Sequence, residues 1–510
     1  MTIPNKKQKQ NTTYSNYKLS RDVEAPASSR IDIIKLDDEH VTKSWFYDNY
    51  IKLRKPAVIK YIQKKGDDGN GDSKFKVAVD AFTPENIAET LKNAEDEDEE
   101  DDEDEDEDVD DNEQLLQVEE LHNGGFGSGK RRLKMTFIEF LKRVKEGENL
   151  YLTTQYDEND PVENEQEDDE EGEEVVDGNG NGAGFDAFQG STSDDEFVDM
   201  HDDYDDFDGD ELEDDDHSED DVIDLNLIYQ APLSPALAAS KQLPPHPSNI
   251  MEPLVPQQIN LWFGRTPDTT EQLAINYESD GKTIKDINKG LPTKNSTSTG
   301  LHHDHADNLY VLVKGKKRFT LFSPDFAHDL YTTGDVRTVY ETGVIDYVMN
   351  EKARNWTTVL ADGSVDPGVG CTGDSMGALP SKDKQEEGKE KEKQDPPSFC
   401  RIPPALLHVD EADVHQRAQL EEFTRSKYPA FNAVKHSAVQ VTLEDGDLLY
   451  LPAGWFHEVT SYGDEKTDNT HVAINYWFVP PDGESIEKPY TDASWEKDFA
   501  AWKRLYAGNL

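Results

Sequence analysis

The sequence predicts a mixed α+β domain dominated by β-structure, built as a sandwich or barrel. Three observations predict it. Helical patterning falls mostly in the first third of the chain and at its very end. From residue 299 onward the apolar runs are mostly short and punctuated by turn residues. The stretches that interrupt the pattern are acidic or Gly/Pro-rich, so they lengthen the chain without supplying a second core.

In chain order, residues 1–28 read as a solvated tail. "WFYDNYIKLRKPAVIKYI" gives a short helix, a turn at Lys55-Pro56 and a buried strand from Ala57 to Tyr61. Residues 83–94 form a helix with Thr83 as N-cap and Pro84 at its first position. "MTFIEFLKRVKEGENLYLTTQY" is a helix, a stop near Gly147, then a strand from Leu150 to Tyr156. Order resumes at Val222, and "QQINLWFGR" (257–265) is a strand. "NLYVLVKGKKRFTLFSP" reads as a β-hairpin turning at Gly315. "AVQVTLEDGDLLYLPAGWFHEVTSYG" and "THVAINYWFVP" supply further strands. The last helix carries Trp495, Phe499, Trp502 and Leu505 on one face. That face either packs on the barrel or makes a homodimer. The expected organisation is a tail (1–28), one domain (29–480) with disordered inserts at about 95–129, 157–221 and 361–399, and a C-terminal helix (481–510).

Of the 510 residues, 109 are Asp or Glu, and the net charge is −57. Residues 95–113 hold 17 of these acids and residues 157–221 hold 32, with no Lys or Arg in either stretch. Outside the two runs the charge is only −8. A mildly acidic body argues against direct contact with nucleic acid. The runs themselves read as solvated spacers, or as attractors of basic partners in low salt. Two cysteines, Cys371 and Cys400, cannot build a disulfide framework, which points to a reducing compartment, cytoplasmic or nuclear. No apolar run reaches the roughly 20 residues of a membrane helix. "KKQK" near the start is a weak nuclear signal or simply part of the tail.

Two motifs fail on context. "GGFGSGKR" (124–131) has the spacing of a phosphate loop but ends on Arg131 where Ser or Thr should hold magnesium, and it follows acid, not an apolar strand. "GDSMG" (373–377) has nucleophile-elbow spacing inside a low-complexity stretch, without the strand and helix an elbow requires.

"LHHDHADNLY" (301–310) is different. Residues i and i+2 of a strand point the same way, so His302 and Asp304, or His305 and Asp307, could converge on one ion. A distant histidine, His457 in "LPAGWFHEV", would complete a set of two imidazoles and one carboxylate. Such a set leaves one face of a divalent ion open, as non-haem Fe(II) oxygenases require. By spacing alone, a packed His457 beside Trp455 is an equal reading.

With its flanks, "TGLHHDHADNLYVLVKGKKRFTLFSP" and "LYLPAGWFHEV…INYWF", the sequence resembles the JmjC family of Fe(II)- and 2-oxoglutarate-dependent oxygenases, most of all its small protein hydroxylases. The resemblance spans roughly 31–94, 130–156, 222–360 and 400–480. It implies a double-stranded β-helix, a cupin-like jelly-roll barrel, with flanking helices. It places iron on His302, Asp304 and His457, leaving His303 and His305 facing elsewhere and His305 and Asp307 as the expendable pair. Thr299, three positions before the first ligand, and Lys317, fifteen after it, match residues that bind 2-oxoglutarate in the family. Asn308, Asn475 and Tyr151 match further cosubstrate contacts. Trp262, Phe319, Tyr476 and Trp477 are either pocket walls or plain core. The implied cofactors are Fe(II), 2-oxoglutarate and dioxygen, and the implied reaction is hydroxylation of a protein, on a lysyl side chain, with a GTPase among the substrates the resemblance suggests. Histone lysine demethylation is the alternative chemistry, although no C-x-x-C is present to build the usual zinc-binding reader modules. A non-catalytic acidic scaffold is the third reading.

Overall fold

A computed structural model describes residues 31–35, 40–60, 83–98, 115–122, 124–126, 132–153, 228–233, 249–267, 273–350, 356, 358–365, 396–464 and 468–507. In chain order its strands are β1 (Asp32–Lys35), β2 (Ala57–Lys60), β3 (Leu116–Glu120), β4 (Leu133–Met135), β5 (Leu150–Leu152), β6 (Pro256–Arg265), β7 (Ile275–Tyr277), β8 (Ile284–Ile287), β9 (Ser296–Ser298), β10 (Asp307–Lys314), β11 (Lys316–Phe322), β12 (Val336–Val339), β13 (Ile345–Tyr347), β14 (Val439–Leu443), β15 (Leu448–Leu451), β16 (Phe456–Tyr462) and β17 (Thr470–Phe478). The helices are α1 (Lys43–Phe46), running on as a π-turn over Tyr47–Ile51, α2 (Pro84–Asp98), α3 (Phe137–Lys145), α4 (Val414–Lys427), α5 (Pro429–Val434) and α6 (Ala493–Ala507). No described helix is long and apolar enough to cross a membrane.

Two sheets make the barrel. Nine strands form the major sheet in the order β1-β2-β15-β10-β17-β6-β5-β3-β4, and four form the minor sheet β14-β11-β16-β9. Strand alternation sorts their side chains into three cores. Val58, Trp262, Tyr310, Leu312, Leu449, Leu451 and Ala473 of the major sheet meet Phe319, Leu321, Val439, Leu443 and Val459 of the minor sheet inside the barrel. The other face of the major sheet, including Leu309, Val311, Ile474, Tyr476 and Phe478, packs on Phe46, Phe140, Val144 and Trp502 of the helices. The outer face of the minor sheet, with Phe322 and Phe456, packs on Leu420, Phe423 and Phe431.

Several expectations change. The hairpin at Gly315 is a corner: β10 pairs with β15 and β17, whereas β11 pairs with β14 and β16. Gly315 adopts φ +106°, and a Cβ there would sit 3.0 Å from that of His471, so glycine carries the chain from one sheet to the other. The expected insert at 95–129 contains β3, because Leu116 and Val118 alternate into the core, and Phe126, which packs on Tyr151. The expected insert at 361–399 is described at both ends, and its last residues reach the site described below. Tyr476 is outer core, not pocket wall, because it alternates with the inward Asn475. Helices α4 and α5 went unread, although Asp413 caps the first through the His415 and Gln416 N–H groups and Pro429 opens the second. On α6, Phe499 and Trp502 pack against this same chain. Residues 1–30, 157–221, 127–131 and the "GDSMG" motif lie outside the described residues.

One buried ion pair ties these layers together. Arg54 reaches Asp307 through both Nη1, at 2.8 Å, and Nη2. Tyr450 Oη (2.7 Å) and the Ala453 N–H (3.0 Å) donate to the same carboxylate. Asp307→Ala would leave the guanidinium buried and uncompensated, and should cost about 3–5 kcal/mol in urea unfolding. A loss below about 1 kcal/mol would show that the pair is not holding the barrel.

Candidate metal centre

His302 and His457 face each other across an isolated antiparallel bridge. The His302 N–H donates to the His457 carbonyl at 3.1 Å, and the His457 N–H to the His302 carbonyl at 2.7 Å. Their rings lie 4.3 Å apart. Residues 303–306 leave the strand, so Asp304 is delivered by a loop and not by strand alternation, as the sequence had suggested. The Gly454 N–H fixes that loop by donating to the Asp304 carbonyl at 2.9 Å. One nitrogen of each histidine and one carboxylate oxygen of Asp304 fall within 4.8 Å of one another, and all three residues are buried.

The second ring nitrogens explain the aim of the first. His302 Nδ1 lies 3.0 Å from the Gly300 carbonyl and His457 Nδ1 lies 3.0 Å from the Trp455 carbonyl. A carbonyl only accepts, so both Nδ1 atoms carry the proton and both Nε2 lone pairs are bare. Two Nε2 lone pairs and one carboxylate suit a divalent first-row metal. Asn308 Nδ2 lies 3.4 Å from Asp304 Oδ2. The aromatic ring of Phe399 stacks on His302 at 5.1 Å, which brings the end of an expected insert into the wall of the site.

The other histidines of the motif serve different ends. His303 lies 2.6 Å from Tyr347 Oη and stacks on that ring. His305 is buried, and burial pushes its pKa down to about 4, so it stays neutral. Asp307 supplies no ligand, yet it is far from expendable, as the Arg54 pair shows.

The barrel interior leads away from the metal donors. His457 stands opposite Leu321 on β11, and Lys317 is four residues further along that strand, about 13 Å in backbone terms. Lys317 points into the interior with no exposed surface, and its Nζ donates to Tyr151 Oη at 3.2 Å. Burial pushes its ammonium pKa down to about 7 and raises the Tyr151 hydroxyl. Among the described residues no carboxylate pairs with Lys317. Asn475 and Trp262 line the same space, with the indole N–H donating to Asn475 Oδ1 at 2.8 Å. Phe319 and Trp477 lie on inward-facing positions of their strands. The buried Asn308 Oδ1, Tyr310 Oη and Trp477 Nε1 have no hydrogen-bond partner among the described residues. Such orphaned polar atoms beside an unpaired cation are what a polar, anionic ligand would satisfy.

Five residues were expected around a cosubstrate. Lys317 and Tyr151 touch each other, and Asn308 touches Asp304. Asn475 lies between Trp262 and Asn260, both of which donate to it. Thr299 is at the rim, its hydroxyl used on backbone: it accepts from the Val459 N–H and donates to the Gly300 carbonyl. The residues the sequence did not single out are Arg54, Tyr310, Phe399 and His471. Arg54 lies in the turn before β2, where no local pattern separates it from an exposed basic residue.

Comparison with known proteins identifies the family of the chain. The family model described as "Cupin-like domain" matches residues 43–484. JmjC domain-containing protein 4 of Schizosaccharomyces pombe is 26% identical over 448 residues, covering 72% of this chain and 74% of that protein. Lysine-specific demethylase JMJ32 of Arabidopsis thaliana is 26% identical over 208 residues, covering 39% and 44%. The human bifunctional peptidase and (3S)-lysyl hydroxylase JMJD7 is 24% identical over 216 residues, covering 42% and 47%. The match thus spans less than half of each of the last two.

The three-donor arrangement makes a direct prediction. His302→Ala should weaken Mn(II) binding by about 100-fold or more in calorimetric titration. His305→Ala should leave it within about threefold, since the His305 ring packs edge-on against His303 and is not among the three converging donors. The reverse pattern would place the metal on the second H-x-D pair.

Proposed function

Because the chain belongs to the cupin-like domain family, and within it to the JmjC proteins, we propose that it is an Fe(II)- and 2-oxoglutarate-dependent oxygenase that hydroxylates a lysyl side chain of a protein. The observation that carries the reading is the convergence of His302, Asp304 and His457 at one end of a barrel whose other end holds the buried Lys317, which meets no carboxylate among the described residues. One set of donors suits the iron, and the lone cation suits the far carboxylate of a dicarboxylate cosubstrate. When bound, the two groups supply the oxidation of an unactivated C–H bond.

The chain's own residues hold and orient. His302, Asp304 and His457 would hold the ion, with both histidines fixed in tautomer by carbonyls. Lys317 and Tyr151 receive the distal carboxylate. Asn308 and Asn475 sit along the length of the space between. Trp262, Phe319 and Trp455 keep water out, so that a charge-assisted contact at Lys317 is worth more than it would be in solvent. No side-chain acid or base is needed at the substrate carbon, in keeping with the absence of a nucleophile in its proper setting in the sequence.

A second reading, lysine demethylation, is favoured by the similarity to the Arabidopsis protein named as a demethylase. The two separate by mass. Incubation of the full chain with Fe(II), 2-oxoglutarate and cell-extract proteins should give succinate and a +16 Da lysyl product. A −14 Da product from methyl-lysine peptides would replace the first reading with the second. Succinate formation without either product would remove both.

The buried lysine adds a pH signature. Free Lys317 loses its proton above about pH 7, whereas Lys317 paired with a carboxylate keeps it. Binding therefore takes up a proton above pH 7, and affinity for 2-oxoglutarate should fall by up to about tenfold per pH unit there. Below pH 7 the lysine is already charged and the affinity should level off. Calorimetry at pH 6 to 9 in two buffers of different ionisation heat measures both the slope and the proton.

A further inference from the structure

His471 stands at the deep end of the barrel, beside Lys317, and the proposed reaction gives it no role. It is the second residue of β17, opposite Gly264 of β6, which in turn stands opposite Tyr151 of β5. The imidazole meets the Tyr151 ring edge-on at 5.6 Å. A Cβ on Gly264 would lie 2.3 Å from Tyr151 Cδ2 and 2.9 Å from His471 Cε1, so the glycine exists to let those two rings meet. Gly315 passes close to the other side of His471. The residue is 1% exposed, and neither ring nitrogen has a hydrogen-bond partner among the described residues.

That combination is unusual. A buried imidazole costs stability unless its N–H is satisfied. Burial, with the Lys317 cation adding to it, holds the His471 pKa well below its ordinary value, so the ring is neutral and offers one N–H donor and one acceptor. The donors gathered at this end are the Lys317 ammonium, the Tyr151 hydroxyl and an imidazole N–H. Glu119, which influences Tyr151, is committed to Arg132.

We propose that His471 is a specificity-determining residue of the cosubstrate pocket: its ring N–H donates to the distal carboxylate held by Lys317 and Tyr151, and its bulk closes the pocket at the length of a five-carbon 2-oxo diacid. The inference rests on the reading that this barrel binds 2-oxoglutarate, and it adds a residue and a length limit to it.

Equilibrium binding to the full chain loaded with Mn(II) tests it without turnover. Calorimetry would compare 2-oxoglutarate with the six-carbon 2-oxoadipate. His471→Leu keeps bulk and removes both nitrogens, and should weaken 2-oxoglutarate about tenfold while leaving Mn(II) affinity unchanged. His471→Gln restores an N–H donor and should recover most of that loss. His471→Ala should narrow the preference for five carbons over six. If the Leu and Ala variants bind both acids as the parent chain does, water serves the nitrogens and the inference falls while the oxygenase reading stands. If the variants lose Mn(II) affinity together with the acid, the role is structural and the inference falls as well. If the parent chain itself binds neither acid, the reading beneath it fails.

Discussion

Asp307 is the residue on which the rest of the site depends. It is fully buried and accepts from Arg54, from Tyr450 Oη and from the Ala453 N–H. Each donor belongs to a different part of the chain. Arg54 ends the first helical turn, in the left-handed region at φ +54°, and its carbonyl takes the indole N–H of Trp455. Tyr450 is on β15, and Ala453 opens the loop that leads into His457. One carboxylate therefore ties together the turn after the N-terminal helix, β15 and the loop that leads into His457 on β16. A buried carboxylate bearing four donors is satisfied, and a buried guanidinium is neutralised, so the pair survives where either charge alone would not.

The tightness of that loop follows from its glycine. Gly454 sits at φ +74°, and a Cβ there would lie 1.8 Å from the Gly343 carbonyl oxygen. No other residue fits. The close approach lets the Gly454 N–H reach the Asp304 carbonyl, which sets Asp304 facing the two histidines. Local geometry at two glycines and one ion pair thus determines the spacing of three donors drawn from residues 155 positions apart.

Much of this was legible in the sequence, for physical reasons that can be named. The strands were readable because apolar and polar residues alternate or run together between turns, as in "QQINLWFGR" and "THVAINYWF". The choice of His302 over His305 rested on a resemblance in register, and the geometry accords with that choice by turning the two side chains to different surroundings. Pairing was not legible. Nothing local distinguishes a hairpin at Gly315 from a corner, because the partners of β10 and β11 come from over 100 residues later. Ordered residues inside acidic or low-complexity stretches were also hidden: Leu116, Val118 and Phe399 are too few to change a composition, yet each finds a place in the packing. Asp307 looked like half of a rival metal pair, and only its burial against Arg54 reveals what it does.

Behind His457 the minor sheet carries a second polar lock. Glu458 points the opposite way from its neighbour and is wholly buried, accepting from Ser298 Oγ at 2.6 Å and Thr460 Oγ1 at 2.9 Å. Arg318 Nη2 donates to His408 Nδ1 at 2.9 Å, which leaves the proton on Nε2 to donate to Glu458, also at 2.9 Å. Burial works to raise the Glu458 pKa, but His408 and the two hydroxyls outweigh it and hold the carboxyl below its ordinary range. The result joins β9, β11, β16 and the segment around residue 408 through groups that all face outward. It stiffens the strand bearing His457 without placing any competing donor in the interior. Partnered polar groups outside the minor sheet and unpartnered polar atoms on the inner face of the major sheet are opposite solutions in one barrel. Among the described residues Tyr310 Oη, Asn308 Oδ1 and the His471 ring nitrogens have no hydrogen-bond partner, the pattern expected of a space that a polar ligand would complete.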